Sequence, residues 1–414
     1  MASRIIRMLY FVREPFPTYR PDVEVLFGEE LLQRGHRIDL VMQAGRADDL
    51  LGPRPWHDRT VWVGGTDLGA GLLHRLRKHC RAVQHDFRSL RLARAESYDA
   101  VQVRDKFLIA AVAVFVARRR GLKFFYWLSF PEPESQLARV RERTARYPAL
   151  TYIRGVTFGW LLYRWILPRC DHAFVQSEQM RRDIALHRID PEKLTAVPMG
   201  VAASEVAAPR APAETEDLSS SSALTIAYLG TLNSQRRLEV LIDMLEILLR
   251  GAANVRLLIV GDGDAPEDRL RLERRADELG VRDHLEITGF IPRAQALERV
   301  RSAAICLSPF FPSPILRSTS PTKLVEYLGL GIPVVANDHP EQRYILKESG
   351  AGVCVPWGAR FFAKGVTWLA ARSALDRRRM GECGRSWVLE NRTYKRIADR
   401  LEDEYSRLLS VSKH

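Results

Sequence analysis

The sequence predicts an α/β protein made of two doubly wound domains that face each other across a cleft. The chain has 414 residues, more than one ordinary hydrophobic core holds, which suggests about two domains. Short apolar runs alternate with helical patterns in both halves, as in parallel sheets built from strand, helix and strand. Residues 201–223 lie between the halves, are rich in Ala, Pro and Ser, and are typical of a linker.

The first domain is predicted to span residues 1–200. Helical patterns near residues 24–34 and 107–118 alternate with apolar runs that indicate parallel strands. These strands are expected within residues 4–11, 38–42, 100–103, 123–128, 171–177 and 194–200.

The second domain is predicted to span residues 224–384, and an amphipathic terminal helix is predicted in residues 385–414. The strands of this domain are expected within residues 224–230, 255–261, 285–290, 303–309, 333–337 and 352–355.

The composition is that of a soluble globular protein, with 46% hydrophobic and 27% charged residues. The five cysteines form no Cys-x-x-Cys pair, so we expect a reduced compartment and neither disulfides nor a zinc cluster. Met1 is followed directly by an apolar strand pattern, so a secretory signal is not expected. No other metal-ligand spacing is evident, and no metal site is predicted.

The net charge of +13 is concentrated in the first domain. Residues 71–170 contain 20 Lys or Arg and only 7 Asp or Glu, which accounts for the entire excess. A basic surface of this kind attracts anionic lipid headgroups, a pyrophosphate-linked acceptor or nucleic acid. No nucleic-acid recognition module accompanies the charge, so nucleic acid is not the expected partner.

Two segments of the first domain combine positive charge with apolar surface. Apolar residues from Leu76 to Leu90 repeat at steps of four, three, four and three, with arginines on the other faces. Residues 149–167 are rich in aromatic side chains, but two arginines and two glycines argue against a transmembrane span. Both segments fit packing against the sheet, and the second also fits a membrane interface that would contain Trp160, Tyr163 and Trp165.

Residues 320–337 predict a helix start followed by a buried strand. Ser320 is expected to cap the helix through its hydroxyl, and Pro321 suits the first helical position. Gly331 and Pro333 end the helix before the strand begins.

The first turn of this helix predicts a phosphate site. The amides of Thr322, Lys323 and Leu324 are expected to point out of the helix end, where partial positive charge favours a diphosphate. Glu326 lies one turn further on and could accept hydrogen bonds from ribose hydroxyls. A capped helix with a surface glutamate is the structural alternative.

The segment resembles the C-terminal signature of retaining glycosyltransferases of family 4, which have the two-domain GT-B fold. That signature has two glutamates separated by seven residues, then a small-residue turn and Gly-x-Pro-Val-Val. Glu326 matches the second glutamate, whereas Ser318 occupies the position of the first. No Asp or Glu occurs between Glu298 and Glu326. The sugar is therefore expected to contact hydroxyls and main-chain groups of Ser318 and Thr319, or a carboxylate from the first domain.

The resemblance extends to the loop after the first strand of the second half. The family pattern is Gly-Arg-Leu, three residues, then Lys, whose cations hold the donor diphosphate. This chain has Gly230, Thr231 in place of Arg, and Arg236 in place of Lys. Arg236 and the neighbouring Arg237 are expected to bind the diphosphate. A solvated pair of arginines is the alternative, although a helix start disfavours positive charge without an anion.

Two further loops are expected at the same sheet edge. Gly261 begins a turn similar to the family's Gly-Asp-Gly, although a tight turn needs glycine even without a ligand. Phe290 and Ile291 follow another strand, where the family holds the nucleobase through main-chain groups. Open sheets of this class bind ligands outside the carboxyl ends of their strands.

In the first domain, residues 127–134 follow a predicted strand at a point where many family members have a histidine beside the acceptor. No histidine occurs here, and Glu132 and Glu134 are the available carboxylates. Glu132 is therefore a candidate catalytic residue, with a proline-rich surface loop as the alternative. The other candidates are Glu326, Arg236 and Lys323.

The resemblance implies a retaining, metal-independent hexosyltransferase. Its second domain would bind a UDP- or GDP-sugar, its first domain a lipid-linked or glycan acceptor, and its terminal helix would return to the first domain. The nucleotide sugar is a substrate, and no cofactor is expected. Together with the positive charge of the first domain, the resemblance favours a role in the synthesis of lipopolysaccharide or exopolysaccharide. The protein is expected in the cytoplasm, at the anionic inner face of the membrane. A nucleotide-sugar epimerase of the same fold and a catalytically silent binding subunit are the alternatives.

Overall fold

The structure of the protein is a computed structural model. It describes residues 5–410 except residues 19, 47–48, 50, 58, 68, 70 and 207–222. The chain divides into two compact units, Met1–Pro198 with Tyr394–His414 and Met199–Thr393. Most of the predicted linker, residues 207–222, lies outside the described residues.

The first unit contains a sheet of eight strands in the order β3-β4-β2-β1-β5-β6-β7-β8. All neighbouring strands are parallel except β3 and β4, which are antiparallel. The strands are β1 (Arg7–Phe16), β2 (Arg37–Ala44), β3 (Gly52–Trp56), β4 (Arg59–Gly64), β5 (Ala100–Arg104), β6 (Lys123–Leu128), β7 (His172–Val175) and β8 (Leu194–Ala196).

Helices connect these strands, as parallel pairing requires. Two stretches are wider π-helical turns, Asp22–Glu30 before α1 and Leu161–Ile166 between α5 and α6. The α-helices are α1 (Leu31–Gln33), α2 (Leu72–Ser89), α3 (Phe107–Arg119), α4 (Glu132–Arg141), α5 (Pro148–Trp160), α6 (Leu167–Arg169) and α7 (Glu178–Ala185).

The second unit contains six parallel strands in the order β11-β10-β9-β12-β13-β14. This is the strand order of a Rossmann fold. The strands are β9 (Leu224–Leu229), β10 (Val255–Val260), β11 (Leu285–Ile287), β12 (Ile305–Ser308), β13 (Val334–Asn337) and β14 (Gly352–Val355). The helices are α8 (Glu239–Arg250), α9 (Pro266–Glu278), α10 (Arg293–Arg301), α11 (Pro314–Arg317), α12 (Thr322–Gly329), α13 (Pro340–Ser349), α14 (Ala359–Ala370) and α15 (Ala374–Asn391).

Both sheets are buried on two faces. In β1, Leu9 and Phe11 join the core on one face, while Met8 and Tyr10 join the core on the other. This explains why the central strands are continuous apolar runs rather than alternating patterns. The expectation of two doubly wound α/β domains is confirmed.

The last helix, α16 (Tyr394–Ser410), packs on the first sheet. Tyr405 is fully buried there and its hydroxyl donates to Gln102 Oε1 over 2.5 Å. The continuous helix predicted from residue 385 is interrupted after α15. Val201 N donates to the carbonyl of Arg392 over 3.0 Å, and Val201 forms an isolated parallel bridge with Thr393. The residues between α15 and α16 therefore pair with Val201 instead of continuing the helix.

The sequence analysis missed strands β3 and β4. Pro53 and Pro55 within β3 weaken its strand signal, because proline cannot donate to a ladder. The prolines are accommodated because β3 is an edge strand, paired only with β4.

Candidate functional site

The loops that follow β9 and β10 meet at the carboxyl edge of the second sheet. Leu232 N donates to the carbonyl of Asp262 over 3.0 Å, and Gly261 pairs with Gly289 in an isolated bridge. The neighbouring strands β9 and β12 mark the reversal of strand order, where open α/β sheets bind ligands.

Glycine is favoured at two predicted positions of this edge by a positive φ and by close contacts. Gly230 has φ 144° and Gly261 has φ 141°. A Cβ on Gly230 would collide with Cε of Lys323, and a Cβ on Gly261 would collide with the carbonyl oxygen of Gly230. The side chain of Lys323 therefore crosses directly over the backbone of Gly230.

Arg236 lies at the end of the same loop. Its Nε donates to Thr231 Oγ1 over 2.9 Å, so the Thr that replaces the family's arginine positions the remaining cation. Arg237 adopts φ 52°, and its guanidinium lies 5.7 Å from the ring centroid of Phe311. The two arginines thus have different surroundings. Arg236 is the one that contacts the loop of residues 230–236 after β9, which is called the glycine loop below.

The surroundings of Lys323 disfavour the charged form of its side chain. Burial and, to a smaller extent, the positive charge of Arg236 lower the pKa of its ammonium to about 7, against the opposing effect of the Glu326 carboxylate. Two cations close enough for the charge of one to lower the pKa of the other favour a bound anion.

The predicted helix cap at Ser320 is wrong. The hydroxyl of Ser320 accepts from Met199 N over 3.0 Å and donates to Glu341 Oε1 over 3.1 Å. This hydroxyl forms its hydrogen bonds with residues that are distant in sequence, so it does not accept a hydrogen bond from the amides of α12.

Helix α12 begins at Thr322, whose amide donates to the carbonyl of Ser320 over 3.0 Å. The amides of Lys323 and Leu324 belong to the first turn, and first-turn amides have no intrahelical acceptor. Two of the three predicted amides therefore have the geometry of an anion site.

Glu326 lies on α12 with 8% of its surface exposed, and it is paired with an arginine that the sequence analysis missed. Arg293 Nη2 lies 2.8 Å from Glu326 Oε1, and Arg293 Nε lies 2.6 Å from Glu205 Oε1. The hydrogen bond that Arg293 donates to Glu205 and the charges of both carboxylates raise the pKa of Arg293. Sequence spacing gives no signal for this triad because its members lie on three separate elements.

Tyr327 contacts the end of β9, where the glycine loop begins. The ring is fully buried, and the hydroxyl accepts from Leu229 N over 2.7 Å at the end of β9. The sequence analysis gave this tyrosine no role.

Ser318 and Thr319 follow the short helix α11 and bond to its carbonyls. Ser318 Oγ donates to Pro314 O over 3.4 Å, and Thr319 Oγ1 donates to Leu316 O over 2.7 Å. His339 Nε2 donates to Leu316 O over 3.0 Å and fixes the same turn. The hydroxyl oxygens remain able to accept hydrogen bonds.

Phe290 and Ile291 follow the loop after β11. The side chain of Phe290 is 87% exposed, while Ile291 is half-buried against the core. The residues assembled in the second unit are thus Gly230, Arg236, Gly261, Lys323 and Glu326, and their role in donor binding stays a prediction.

Glu132 lies in the first unit, at the start of α4. Its Oε2 is 3.3 Å from Arg13 Nη1, and its Oε1 accepts from Gln136 Nε2 over 2.7 Å. Glu134 instead accepts from the hydroxyl of Tyr163 over 2.6 Å. Glu132 lines a cavity of about 470 Å³ at the carboxyl ends of β1 and β5, where the strand order of the first sheet reverses.

Asp105 lines the same cavity and was missed by the sequence analysis. It has a left-handed backbone with φ 50°, an unusual conformation for a side-chain-bearing residue. Burial raises the pKa of its carboxyl to about 6, and Ser129 N donates to its Oδ1 over 3.0 Å. The residue follows β5 directly, which is the one signal that could have found it.

Among the described residues, no group of three or more His, Cys, Asp or Glu side chains is arranged to hold a metal ion. None of the helices in the described ranges combines the length and apolar character that crossing a membrane requires.

Two family models match the chain. The model described as Glycosyltransferase Family 4 matches residues 25–205, and the model described as Glycosyl transferases group 1 matches residues 223–372. A phosphatidyl-myo-inositol mannosyltransferase of Mycobacterium leprae is 32% identical over 135 residues. The match covers 32% of this chain and 33% of that relative.

Solved structures resemble the whole chain at low identity. Sucrose-phosphate synthase from Thermosynechococcus elongatus has a TM-score of 0.72 and 17% identity, with 98% of this chain and 99% of that chain covered. Anabaena HepE in complex with UDP and glucose has a TM-score of 0.68 and 14% identity, with 97% and 100% covered. With the sequence matches, these similarities lead to one conclusion: the chain belongs to glycosyltransferase family 4, and its two Rossmann-like units have the GT-B fold.

Proposed function

We propose that the protein is a retaining glycosyltransferase that moves a sugar from a UDP- or GDP-sugar to a lipid-linked or glycan acceptor. The observation that carries this proposal is the position of Lys323. Its ammonium crosses the glycine loop beside Arg236, at the start of α12 and at the strand-order reversal of the second sheet. A diphosphate is the anion that suits two cations and a helix start together.

The donor would bind in the second unit. Arg236, Lys323 and the first amides of α12 would contact the diphosphate, and Glu326 would accept hydrogen bonds from the ribose hydroxyls. The crystal structure of Anabaena HepE contains UDP, which supports a uridine nucleotide as the first candidate.

The chemical step would take place on one face of the sugar. The acceptor hydroxyl oxygen forms the new bond to the anomeric carbon while the bond from that carbon to the diphosphate oxygen breaks. The departing oxygen takes the acceptor proton, and Arg236 with Lys323 stabilises the charge that develops on the diphosphate. Because these cations already stand at the site, the proposal needs no divalent metal.

The acceptor would be linked to a membrane. The basic residues of the first unit and the exposed apolar side chains of α5, among them Ile153 and Trp160, support peripheral attachment to an anionic inner membrane surface. The similar mycobacterial protein is named for an acceptor that is a phospholipid, which agrees with this class. Assembly of lipopolysaccharide or exopolysaccharide is the proposed setting.

The test is incubation of the purified protein with radiolabelled UDP- and GDP-sugars and a bacterial lipid extract. We expect label from one donor to enter the lipid fraction. A donor that is altered without any acceptor would indicate an epimerase. Nucleotide binding without turnover of any sugar would indicate a silent subunit, for which Ser318 at the position of the first glutamate is the supporting observation.

A further inference from the structure

The loop that follows β12 contains Ser318, which stands at the position of the family's first glutamate. This segment, residues 309–320, is called the β12 loop below. It leaves the sheet beside β9, at the reversal of strand order, and includes the short helix α11. Residues 337–342, where β13 ends and α13 begins, bond to it within the second unit.

The two ends of the β12 loop are bonded to buried side chains of residues 337–342. Near the first end, Asn337 Oδ1 accepts from Phe310 N over 2.6 Å, and Asn337 Nδ2 donates to Phe310 O over 2.8 Å. At the second end, Glu341 Oε1 accepts from the hydroxyl of Ser320 over 3.1 Å. The loop is therefore anchored at both ends by groups from another segment.

The middle of the β12 loop is bonded to the buried imidazole of His339. Its Nε2 donates to Leu316 O over 3.0 Å, and its Nδ1 accepts from the amides of Glu341 and Gln342 over 3.3 and 3.4 Å. A carbonyl oxygen can only accept and an amide N–H can only donate, so the ring carries its proton on Nε2. Burial lowers the pKa of this imidazole, which agrees with a neutral ring.

Histidine is not a preferred residue at the N-cap of a helix, which is the position of His339 in α13. Ser, Thr, Asp and Asn are preferred there, and each has an oxygen that accepts from the first amides of the helix. An imidazole has a second nitrogen on the other side of its ring, and in this protein that nitrogen reaches the β12 loop. The bond to Leu316, rather than the cap, therefore explains a histidine at this position.

The carbonyl that His339 holds also orients the residues beside it. Leu316 O accepts from Thr319 N over 3.0 Å and from Thr319 Oγ1 over 2.7 Å. Ser318 directly precedes Thr319, so the place of both hydroxyls depends on the place of this carbonyl. Groups that meet a substrate need such support, because a displacement of about 1 Å can reduce turnover about 100-fold.

We propose that His339 is a positioning residue for the sugar of the donor. It holds Leu316 O so that Ser318 and Thr319 present their hydroxyls where the family's first glutamate would contact the sugar. The role in sugar binding rests on the proposed function, whereas the hold on the β12 loop rests on the contacts of His339 alone.

Hydrogen exchange of the full-length protein without nucleotide tests the hold on the loop. His339→Asn keeps an oxygen that can cap α13, but the shorter side chain does not reach Leu316. We expect the amides of residues 317–319, which donate to carbonyls within residues 313–316, to exchange about tenfold faster, and those of α13 to be unchanged. Unchanged exchange in residues 317–319, or equally faster exchange in α13, would overturn the proposal.

A second histidine of the same unit supplies the matched control. His284 Nδ1 bonds to Val255 O over 3.1 Å, a contact that does not include the β12 loop. His284→Asn therefore makes the same chemical change and breaks the same kind of bond elsewhere. It should leave the exchange of residues 317–319 unchanged.

Calorimetry tests the role in sugar binding with five probes: UDP, UDP-glucose, UDP-N-acetylglucosamine, GDP and GDP-mannose. His339→Asn should raise the Kd of a sugar nucleotide about tenfold relative to the Kd of the free nucleotide with the same base. His284→Asn should leave that ratio unchanged. General damage to the unit would weaken the free nucleotide as well, so an unchanged ratio in His339→Asn would contradict the role in sugar binding.

The wild-type protein separates this proposal from the donor function. Binding of UDP or GDP, with an unchanged ratio in His339→Asn, would refute the role of His339 and support the donor function. Binding of neither nucleotide would refute the donor function and with it the role in sugar binding. The exchange experiment would then still decide whether His339 holds the β12 loop.

Discussion

Glu326 and Lys323 stand one turn apart on α12, yet their charges are balanced in different ways. Glu326 is paired with Arg293, which also holds Glu205. The charge of Arg236 disfavours the ammonium of Lys323, and within the part of the chain that the structure describes the carboxylate of Glu326 is the charge that favours it. The carboxylate is thus fixed in place, while the ammonium is stabilised when an anion binds.

Replacement of Glu326 should weaken nucleotide binding without unfolding the protein. A hydrogen bond to a charged group contributes about 1.5 to 3 kcal/mol, so Glu326→Ala should raise the Kd for UDP about 10- to 100-fold. Calorimetry is the measurement. Glu205→Gln is the control, because Glu205 contacts the same arginine but lies outside α12, the helix that is expected to bind the nucleotide. Equal affinities for wild type and Glu326→Ala would remove Glu326 from the site.

Lys323 should make nucleotide binding depend on pH. The pKa of its ammonium is lowered to about 7 in the free protein, and a bound diphosphate raises it again. Affinity is therefore full below pH 7 and falls as the pH rises above 7, by at most about tenfold per pH unit. Calorimetry with UDP from pH 7 to 9 should show this fall, whereas Lys323→Met should bind weakly with a flat profile. Parallel profiles for the two proteins would contradict the assignment.

At the scale of elements, the turn after α11 carries Ser318, which occupies the position of the family's first glutamate. The hydroxyls of Ser318 and Thr319 donate to carbonyls of α11, so their oxygens can accept from a sugar N–H or O–H. An acetamido sugar offers such a donor, and a deoxy sugar needs fewer partners. The alternative places a carboxylate such as Glu132 at the sugar.

Two variants distinguish these accounts. If the turn holds the sugar, Ser318→Ala should reduce turnover about tenfold, the effect of one lost hydrogen bond of about 1.5 kcal/mol. Glu132→Gln should then have the smaller effect. Unchanged turnover in Ser318→Ala together with loss of activity in Glu132→Gln would support the carboxylate account instead.

At the scale of the whole molecule, charge and exposed apolar surface coincide in the first unit. The net charge of +13 arises within residues 71–170, which include α2, α3 and α5. Large apolar side chains on these helices are exposed, including Leu76 at 52%, Ile153 at 59% and Trp160 at 56%. Such a surface favours the interface of an anionic membrane.

Membrane attachment should weaken as salt is added. Charges more than about 10 Å apart are screened at 0.1 M ionic strength, and each basic residue near an anionic surface contributes about 1 kcal/mol. We expect flotation with anionic liposomes at low salt, less flotation at high salt, and little with neutral liposomes. Equal flotation with both lipids would contradict the electrostatic account. It would indicate that the exposed apolar side chains of the helices attach the protein to the membrane.

The sequence alone determined the two doubly wound domains, because buried parallel strands require continuous apolar runs and crossover helices. It also singled out Gly230, Arg236, Lys323 and Glu326 as candidates, since strand ends and helix starts are where a nucleotide site is expected in such a sheet. These features are local, because each depends on residues that are close together in the sequence.

The partners of these residues depend on how the chain folds in space. Ser320 was assigned to its own helix, but its hydroxyl bonds to Met199 and Glu341, which are distant in sequence. The partner of Glu326 is Arg293, 33 residues away, and the cavity beside Asp105 joins side chains from several strands and helices. Hydrogen bonding and ion pairing depend on distance in space, which a linear pattern specifies only within a helical turn or along a strand.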